Sequence, residues 1–249
     1  MSSTTPMPPT PPAASPASQT PPAPRASLTE RRKAETRMEI ARAAAGLFVR
    51  EGLRATRAED IAQAAGIAPR TFYRYFAAKE EAIAPLYEAG AQRWVEAVRT
   101  APPGTSVPQA LEDAARHTLT PGVGVSAASW AWVRTLIRLA HANPSLRRVW
   151  AEVCQTSERA LAEALASRLL DGGSGEGEVT EGQLPYDNVA VETRLRFAAA
   201  VASAAVRTAT EGWAAGDAPA EGPRGPAELA LANLAVLRDF PWDDLTARS

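Results

Sequence analysis

Residues 52–79, GLRATRAEDIAQAAGIAPRTFYRYFAAK, decide the fold. They read as two short helices joined by a tight Ala65-Gly66-Ile67 turn, the second presenting Arg70, Thr71, Tyr73, Arg74 and Tyr75 to solvent. Thr56 and Glu59 have the spacing of a capping box for the first of these helices. Pro69 falls where the first turn of the second tolerates a missing N–H. Projecting residues 69–76 at about 100 degrees per residue groups Phe72, Phe76 and Pro69 on one side, with Arg70, Thr71, Arg74 and Tyr75 opposite and Tyr73 at the edge. A helix with an apolar back and a polar, aromatic front, held by a tight turn against a partner helix, is a helix-turn-helix, and double-stranded DNA is the partner it suggests.

The front suits the major groove: arginine can bond guanine O6 and N7 in two places, and a threonine methyl can touch a thymine methyl. Tyrosine hydroxyls and Lys79, at the start of the next helix, suit phosphates, helped by the positive end of the helix. The alternative for the same residues is an ordinary solvated face between two core positions.

Working outward, residues 1–26 hold nine prolines and no acidic residue, the composition of a disordered, partly polyproline tail. Ser27 or Thr29 then caps a helix through Ile40, Ala44, Leu47 and Phe48 that Gly52 ends. A fourth helix runs from Lys79 to about Arg99, and Ala101-Pro-Pro-Gly104 breaks the chain. Beyond it the pattern stays helical over roughly 107–119, 126–142, 145–170, 188–215 and 226–239, with nothing that reads as strand. The expected fold class is therefore all-α: an N-terminal three-helix unit at 27–84 followed by a helical bundle at 85–243. Two insertions, Asp171–Gln183 and Gly216–Gly225, read as mobile. The GGSGEGE run in the first follows a helix, lacks the ending of a phosphate loop and carries two glutamates, so it reads as linker.

Net charge is only −1, but residues 25–79 carry 12 basic against 6 acidic side chains, leaving 15 and 22 elsewhere. The basic segment coincides with the helix-turn-helix, as an anion-binding end requires. Arg31, Arg32, Lys33 and Arg37 precede or open the first helix, where they form either a basic arm along DNA or a solvated helix start. The single cysteine, Cys154, excludes an internal disulfide and reads as a small buried helix residue in a reducing cytosol. No run of 18 apolar residues occurs, and the N-terminus is not a basic-then-apolar signal, so the expected location is cytoplasmic with no membrane span.

The order Gly52, Thr56, Asp60-Ile-Ala, Ala65-Gly-Ile, Thr71-Phe-Tyr-Arg-Tyr-Phe and Lys79-Glu80 resembles the DNA-binding domain of the tetracycline-repressor (TetR) family over residues 34–84. The resemblance implies a dimeric, all-helical repressor that binds an inverted-repeat operator through three N-terminal helices and a small ligand in its C-terminal domain. By position it implies groove-facing roles for Arg70 and Thr71 and phosphate contacts for Tyr73, Tyr75 and Lys79, with Arg74 undecided. Arg57 stands where the family commonly has a hydroxyl residue, and can reach a phosphate or remain solvated. Ala68 replaces a common serine cap, which weakens the helix start by about 1 kcal/mol.

In the C-terminal half, the alanine-rich stretch Ala198–Ala205 beside Phe197, Val201 and Val206, and a last helix apolar nearly all round through Leu229, Leu231, Leu234, Val236 and Leu237, suit a four-helix homodimer interface. Trp130, Trp132 and Trp150 fall on helices expected around a cavity, with Trp130, Val133, Ile137, Trp150 and Val153 as candidate ligand contacts beside Leu136. Arg134 and Arg138, four apart, are either surface residues or a mount for an acidic group. Asn143-Pro-Ser-Leu-Arg and the RLRFAAAVASAAVRTATEGW helix loosely resemble acyl-CoA-responsive actinobacterial TetR-like regulators, which implies a small hydrophobic effector such as an acyl-CoA. His117 and His141 have no ligand-spaced partners, so no metal or cofactor is expected. No nucleophile with a base and no cofactor loop is present, so no catalytic residue and no enzyme is expected. A helix-turn-helix adaptor whose C-terminal half binds a protein is the alternative reading, distinguished by a packed core with an apolar groove in place of a cavity.

Overall fold

The computed structural model describes residues 27–123, 126, 129–171, 185–242 and 245. The expected N-terminal tail and most of the insertion at 171–183, with its GGSGEGE run, lie outside the described residues. Among the described residues nine α-helices follow in order: α1 Leu28–Arg50, α2 Ala58–Ala64, α3 Pro69–Tyr75, α4 Ala84–Arg99, α5 Val107–Leu119, α6 Trp130–Ala142, α7 Pro144–Asp171, α8 Pro185–Ala215 and α9 Pro226–Ala235. No strand occurs among the described residues, and the fold is all-α.

Local chemistry sets the first boundaries. Ser27 caps α1 by accepting the Glu30 N–H at 3.2 Å. Gly52, at φ +86°, ends α1 in a left-handed turn that returns its N–H to the Phe48 carbonyl. Between α2 and α3, Gly66 at φ +68° lets its N–H reach Gln63 and the Ile67 N–H reach Ala62, the two crossed bonds of a Schellman turn. A residue with a Cβ is strained at that φ, so the glycine in the middle of the helix-turn-helix is a backbone requirement.

The cap of α2 differs from the expected one. Thr56 is fully buried and donates its hydroxyl to the Gly52 carbonyl, so it cannot cap. Instead the Asp60 carboxylate accepts the Arg57 N–H at 2.8 Å. The predicted fourth helix begins as a 3-10 turn, Lys79–Ile83, before α4 proper. The basic residues Arg31, Arg32 and Lys33 lie exposed in the opening turns of α1. Arg37 is turned inward, stacked 5.5 Å over the Phe76 ring and 3.9 Å from Glu88.

Two buried clusters share the molecule. The first joins Ile40, Ala44 and Phe48 of α1 to Ile61 of α2, Phe72 and Phe76 at α3, Tyr87 of α4, and Leu136, Leu146, Val149 and Val153 of α6 and α7. The apolar back of α3 is thus packed against the same core that reaches into the C-terminal helices. Each large side chain so buried stabilises by about 1.5–3 kcal/mol. Pro69, predicted to join Phe72 and Phe76, is exposed instead, because it sits at the first turn beyond the reach of α1 and α2. The second cluster fills the space between the C-terminal part of α4 and helices α5 to α9.

Arginine side chains tie the loops to this frame. Arg168 of α7 donates to the carbonyls of Val98, Ala101, Pro102 and Thr105, holding the Pro-Pro-Gly break against the helix end. Gly216–Gly225, expected to be mobile, is fastened: Arg134 bonds Ala218, Arg138 bonds Gly216 and Asp217, and the Trp213 indole bonds Ala218 and Pro219. Backbone carbonyls left free by a loop are good arginine acceptors, and composition could not reveal that two α6 arginines face it. The same contact settles Arg134 and Arg138 as loop anchors. Arg138 holds the Asp217 carboxyl below its ordinary range, through a direct hydrogen bond and then by charge. The Glu112 carboxylate, buried on α5, takes both Nε and Nη2 of Arg238 just past α9.

Candidate functional site

The recognition helix α3 stands on Phe72, which is fully buried and packs edge-on to Tyr73 at 5.4 Å and against Phe76 at 5.7 Å. Arg70, Tyr73 and Arg74 are exposed, while Thr71 and Tyr75 are half-buried. Thr71 and Tyr75 are four residues apart and lie toward the flank nearer the protein. The Arg74 guanidinium stacks 5.3 Å from the centre of the Tyr75 ring, which preorganises a planar donor fork at the exposed end of the helix. The Tyr73 hydroxyl donates weakly to Glu59 at 3.4 Å, and Glu59 also lies 3.8 Å from Arg57. These are exposed, exchangeable contacts that a phosphate can replace. Ala68 precedes α3 in extended conformation with no side-chain cap, and Pro69 occupies the first turn, as the sequence anticipates.

Lys79 occupies a different setting. Its ammonium donates to the carbonyls of Leu53 and Thr56, both at 2.7 Å. Two of its three donors therefore brace the α1–α2 connection. The third is free for an anion.

In the C-terminal helices a cavity of about 180 Å³ opens between α4, α6, α7 and α8, with Thr118 and Leu119 of α5 also in its lining. Trp130, Val133, Ile137, Trp150 and Val153 all line it, so the five residues named from sequence are brought together. Trp132 is not among them: it is 38% exposed on the outer side of α6, two residues from Trp130 and on the far side of a helix. Most of the wall is apolar, and its volume lies below the roughly 300–1,000 Å³ usual for drug-sized ligands. The space suits a compact molecule or one that spreads the helices. A more open depression of about 510 Å³ adjoins it between α4 and α5, lined by Arg93, Glu96, Asp113 and His117.

Several lining residues were not anticipated. Tyr87 and Trp94 of α4, Thr118 of α5, Cys154 of α7 and Ser203 of α8 all face this space. A serine inside the run AAAVASAAV is the one signal the sequence offered, because a polar residue on an otherwise apolar helix face is anomalous. Tyr87 is buried, stacks edge-on to Trp150 at 5.0 Å and donates its hydroxyl to the Leu136 carbonyl at 3.0 Å. Burial pushes its phenol above the ordinary value. Burial likewise raises the Cys154 thiol to about 11, against a smaller downward pull from Arg207. A thiol held protonated is a poor redox sensor.

The cavity rim is polar. The Trp150 indole donates to Glu211 at 2.7 Å, and Glu211 also lies 3.5 Å from Arg207 and 3.7 Å from His141. Among the described residues no group of three or more His, Cys, Asp or Glu is placed to hold a metal. Among the described residues no helix is long and apolar enough to cross a membrane.

Residues 40–83 match the model of the family described as bacterial regulatory proteins, tetR family. The chain is 30% identical over 143 residues to the HTH-type transcriptional regulator TcmR of Streptomyces glaucescens; the match takes in 57% of this chain and 63% of that relative, so under two thirds of its length is spanned. Among solved structures, a TetR-family regulator from Rhodococcus sp. is 18% identical with a TM-score of 0.48, covering 81% of this chain and 98% of its own. Thermus thermophilus FadR in complex with lauroyl-CoA is 23% identical with a TM-score of 0.45, covering 81% and 92%. The helix-turn-helix built on Gly66 and Phe72 lies within the segment, residues 40–83, that matches the tetR family of bacterial regulatory proteins.

Proposed function

We propose that the protein is a transcriptional regulator that binds an inverted-repeat operator as a homodimer and releases it when a small, largely apolar effector enters the cavity between α4, α6, α7 and α8. The observation that carries this reading is the shared core: Tyr87, Leu136 and Val153 line the cavity and belong to the cluster that buries Phe72 and Phe76 of the recognition helix. Packed interiors repack between discrete arrangements and do not deform smoothly. A ligand that displaces Tyr87 or Trp150 therefore changes the seat of α3, and the change in operator affinity equals its differential affinity for the two arrangements.

On DNA, Arg70 and Thr71 read base edges, and Arg74 extends the contact. Tyr73, Tyr75, Arg57 and the remaining donor of Lys79 hold phosphates. Two copies are joined through α8 and α9, where Phe197 and Val236 are 59% and 79% exposed beside the small residues Ala200 and Ala204. An aromatic-walled cavity between the helices supports a small-molecule partner over a protein partner, and an acyl-CoA remains one ligand to test. The regions divide as a helix-turn-helix unit over 27–84 and an effector and dimerisation unit over 85–243.

Capture of genomic fragments by the purified protein tests the reading. The expected product is a short inverted repeat near promoters, released by extracts that contain the effector. Recovery of sites without two-fold symmetry would overturn the dimeric mode.

A further inference from the structure

We infer that the cavity takes an uncharged, largely apolar ligand bearing at least two hydrogen-bond-accepting oxygens, in preference to a plain hydrocarbon chain. The inference rests on the effector reading above and names the chemistry of its ligand.

Four side chains from four helices carry the argument. Trp94, Thr118, Trp130 and Ser203 line the cavity and are 5%, 5%, 3% and 9% exposed. Their polar atoms, two indole Nε1 and two hydroxyl Oγ, are buried with no hydrogen-bond partner. Buried polar groups are almost always paired, so four orphans around one space are a signal and not scatter. The indole N–H can only donate, so an acceptor alone can satisfy it.

The hydroxyls are equally telling. Threonines elsewhere on these helices, among them Thr135, Thr156 and Thr210, donate to the carbonyl four residues back. Thr118 and Ser203 do not, although each sits on a helix where the same bond is within reach. An aliphatic chain would leave all four groups unsatisfied. A ligand with carbonyl oxygens on opposite edges would meet donors from more than one wall. The charged residues at the cavity, Arg93, Glu158 and Arg207, are all partly or wholly exposed, so no buried charge asks for a counter-ion.

The test uses the full chain and two flat probes of one skeleton, 9,10-anthraquinone and anthracene, titrated by tryptophan fluorescence and by melting temperature. Anthraquinone is expected to bind about tenfold more tightly or better, with the ratio falling below about threefold in Trp94→Phe and Trp130→Phe while anthracene is little affected. Ser203→Ala, a smaller change, gives the same reading should an indole variant fold poorly. Equal affinity for the two probes, a ratio untouched by every variant, or tighter binding of lauric acid than of anthraquinone would overturn the inference and leave an occupied effector cavity. Binding of none of the probes would overturn the effector reading together with it.

Discussion

The Tyr87 hydroxyl and the Leu136 carbonyl, 3.0 Å apart and buried, pin α4 to α6 at the point where the core behind the recognition helix meets the cavity. Tyr87→Phe keeps the ring and its contact with Trp150 but deletes this bond. The expected loss is about 1 kcal/mol of stability, since one neutral hydrogen bond is removed and no charge is stranded. If the pin also transmits effector binding, the variant holds its operator but needs more ligand for release. Urea denaturation and an operator-release titration on the same preparation separate the two effects. Unchanged release with reduced stability would make the bond merely structural.

Arg168 collects the carbonyls of Val98, Ala101, Pro102 and Thr105 with one guanidinium. Arg168→Ala strands carbonyls at the end of α4 and in the following turn, for an expected cost of about 2–3 kcal/mol read by chemical denaturation. Arg168→Lys should recover only part of it, because a single ammonium cannot fan out over four acceptors. Full rescue by lysine would show that charge, and not the fork, matters.

Lys79 separates bracing from DNA contact. Loss of its two bonds to Leu53 and Thr56 should lower the melting temperature of Lys79→Met without DNA present. If its third donor also meets a phosphate, the slope of log affinity against log salt falls by about 0.9 for each copy bound. Arg70→Ala, by contrast, is expected to cost about 1–3 kcal/mol on the preferred operator and to relax sequence preference. Equal losses on specific and random DNA would remove Arg70 from base reading.

Much of the DNA-binding end was legible because it depends on local chemistry. Gly66 needs its positive φ, Pro69 tolerates the first turn, and Phe72 and Phe76 share one side of a short helix. The bounds of α5, expected at roughly 107–119, were equally legible, and Ser106 caps its start through the Gln109 N–H. What escaped were relations across the chain. Arg134 and Arg138 look like surface arginines until α8 brings the carbonyls of Ala214 and Ala218 beside them, 76 and 84 residues away. Thr56 and Glu59 have the right spacing for a cap, yet burial of Thr56 overrides it. The cavity residues Trp130, Val133 and Ile137 read as aromatic and apolar walls and share one side of α6, whereas Tyr87, Trp94 and Ser203 enter from other helices that the sequence does not place in space.

Ala68 offers a gain instead of a loss. It occupies the N-cap of α3 at φ −70° and ψ 147°, the backbone a capping side chain requires, but supplies no acceptor for the first N–H groups. Ala68→Ser is expected to stabilise by about 1 kcal/mol, seen as a higher melting temperature. A firmer first turn should leave operator affinity equal or improved. Destabilisation would show that Pro69 and the Phe72 packing already fix the turn in a geometry the serine hydroxyl cannot use.

Cys154 gives the pH prediction. Its thiol lines the cavity, and burial lifts it from 9.0 to about 11 in the folded chain, with Arg207 opposing and Glu211 and Glu158 adding to the rise. Only the thiolate reacts with iodoacetamide, so at pH 8 native alkylation should run about a hundredfold slower than for an unperturbed thiol. The inflection should fall near pH 11. The neutral thiol is the form the fold favours, so its contribution is complete below the unfolded value near 9 and is lost as pH rises through the folded value. Stability should accordingly begin to decline above about pH 9 in the wild type and decline less in Cys154→Ala. Rates and melting curves from pH 7 to 11 measure both. An alkylation inflection at or below 9 would mean that the thiol meets water freely and that the cavity is wet at Cys154.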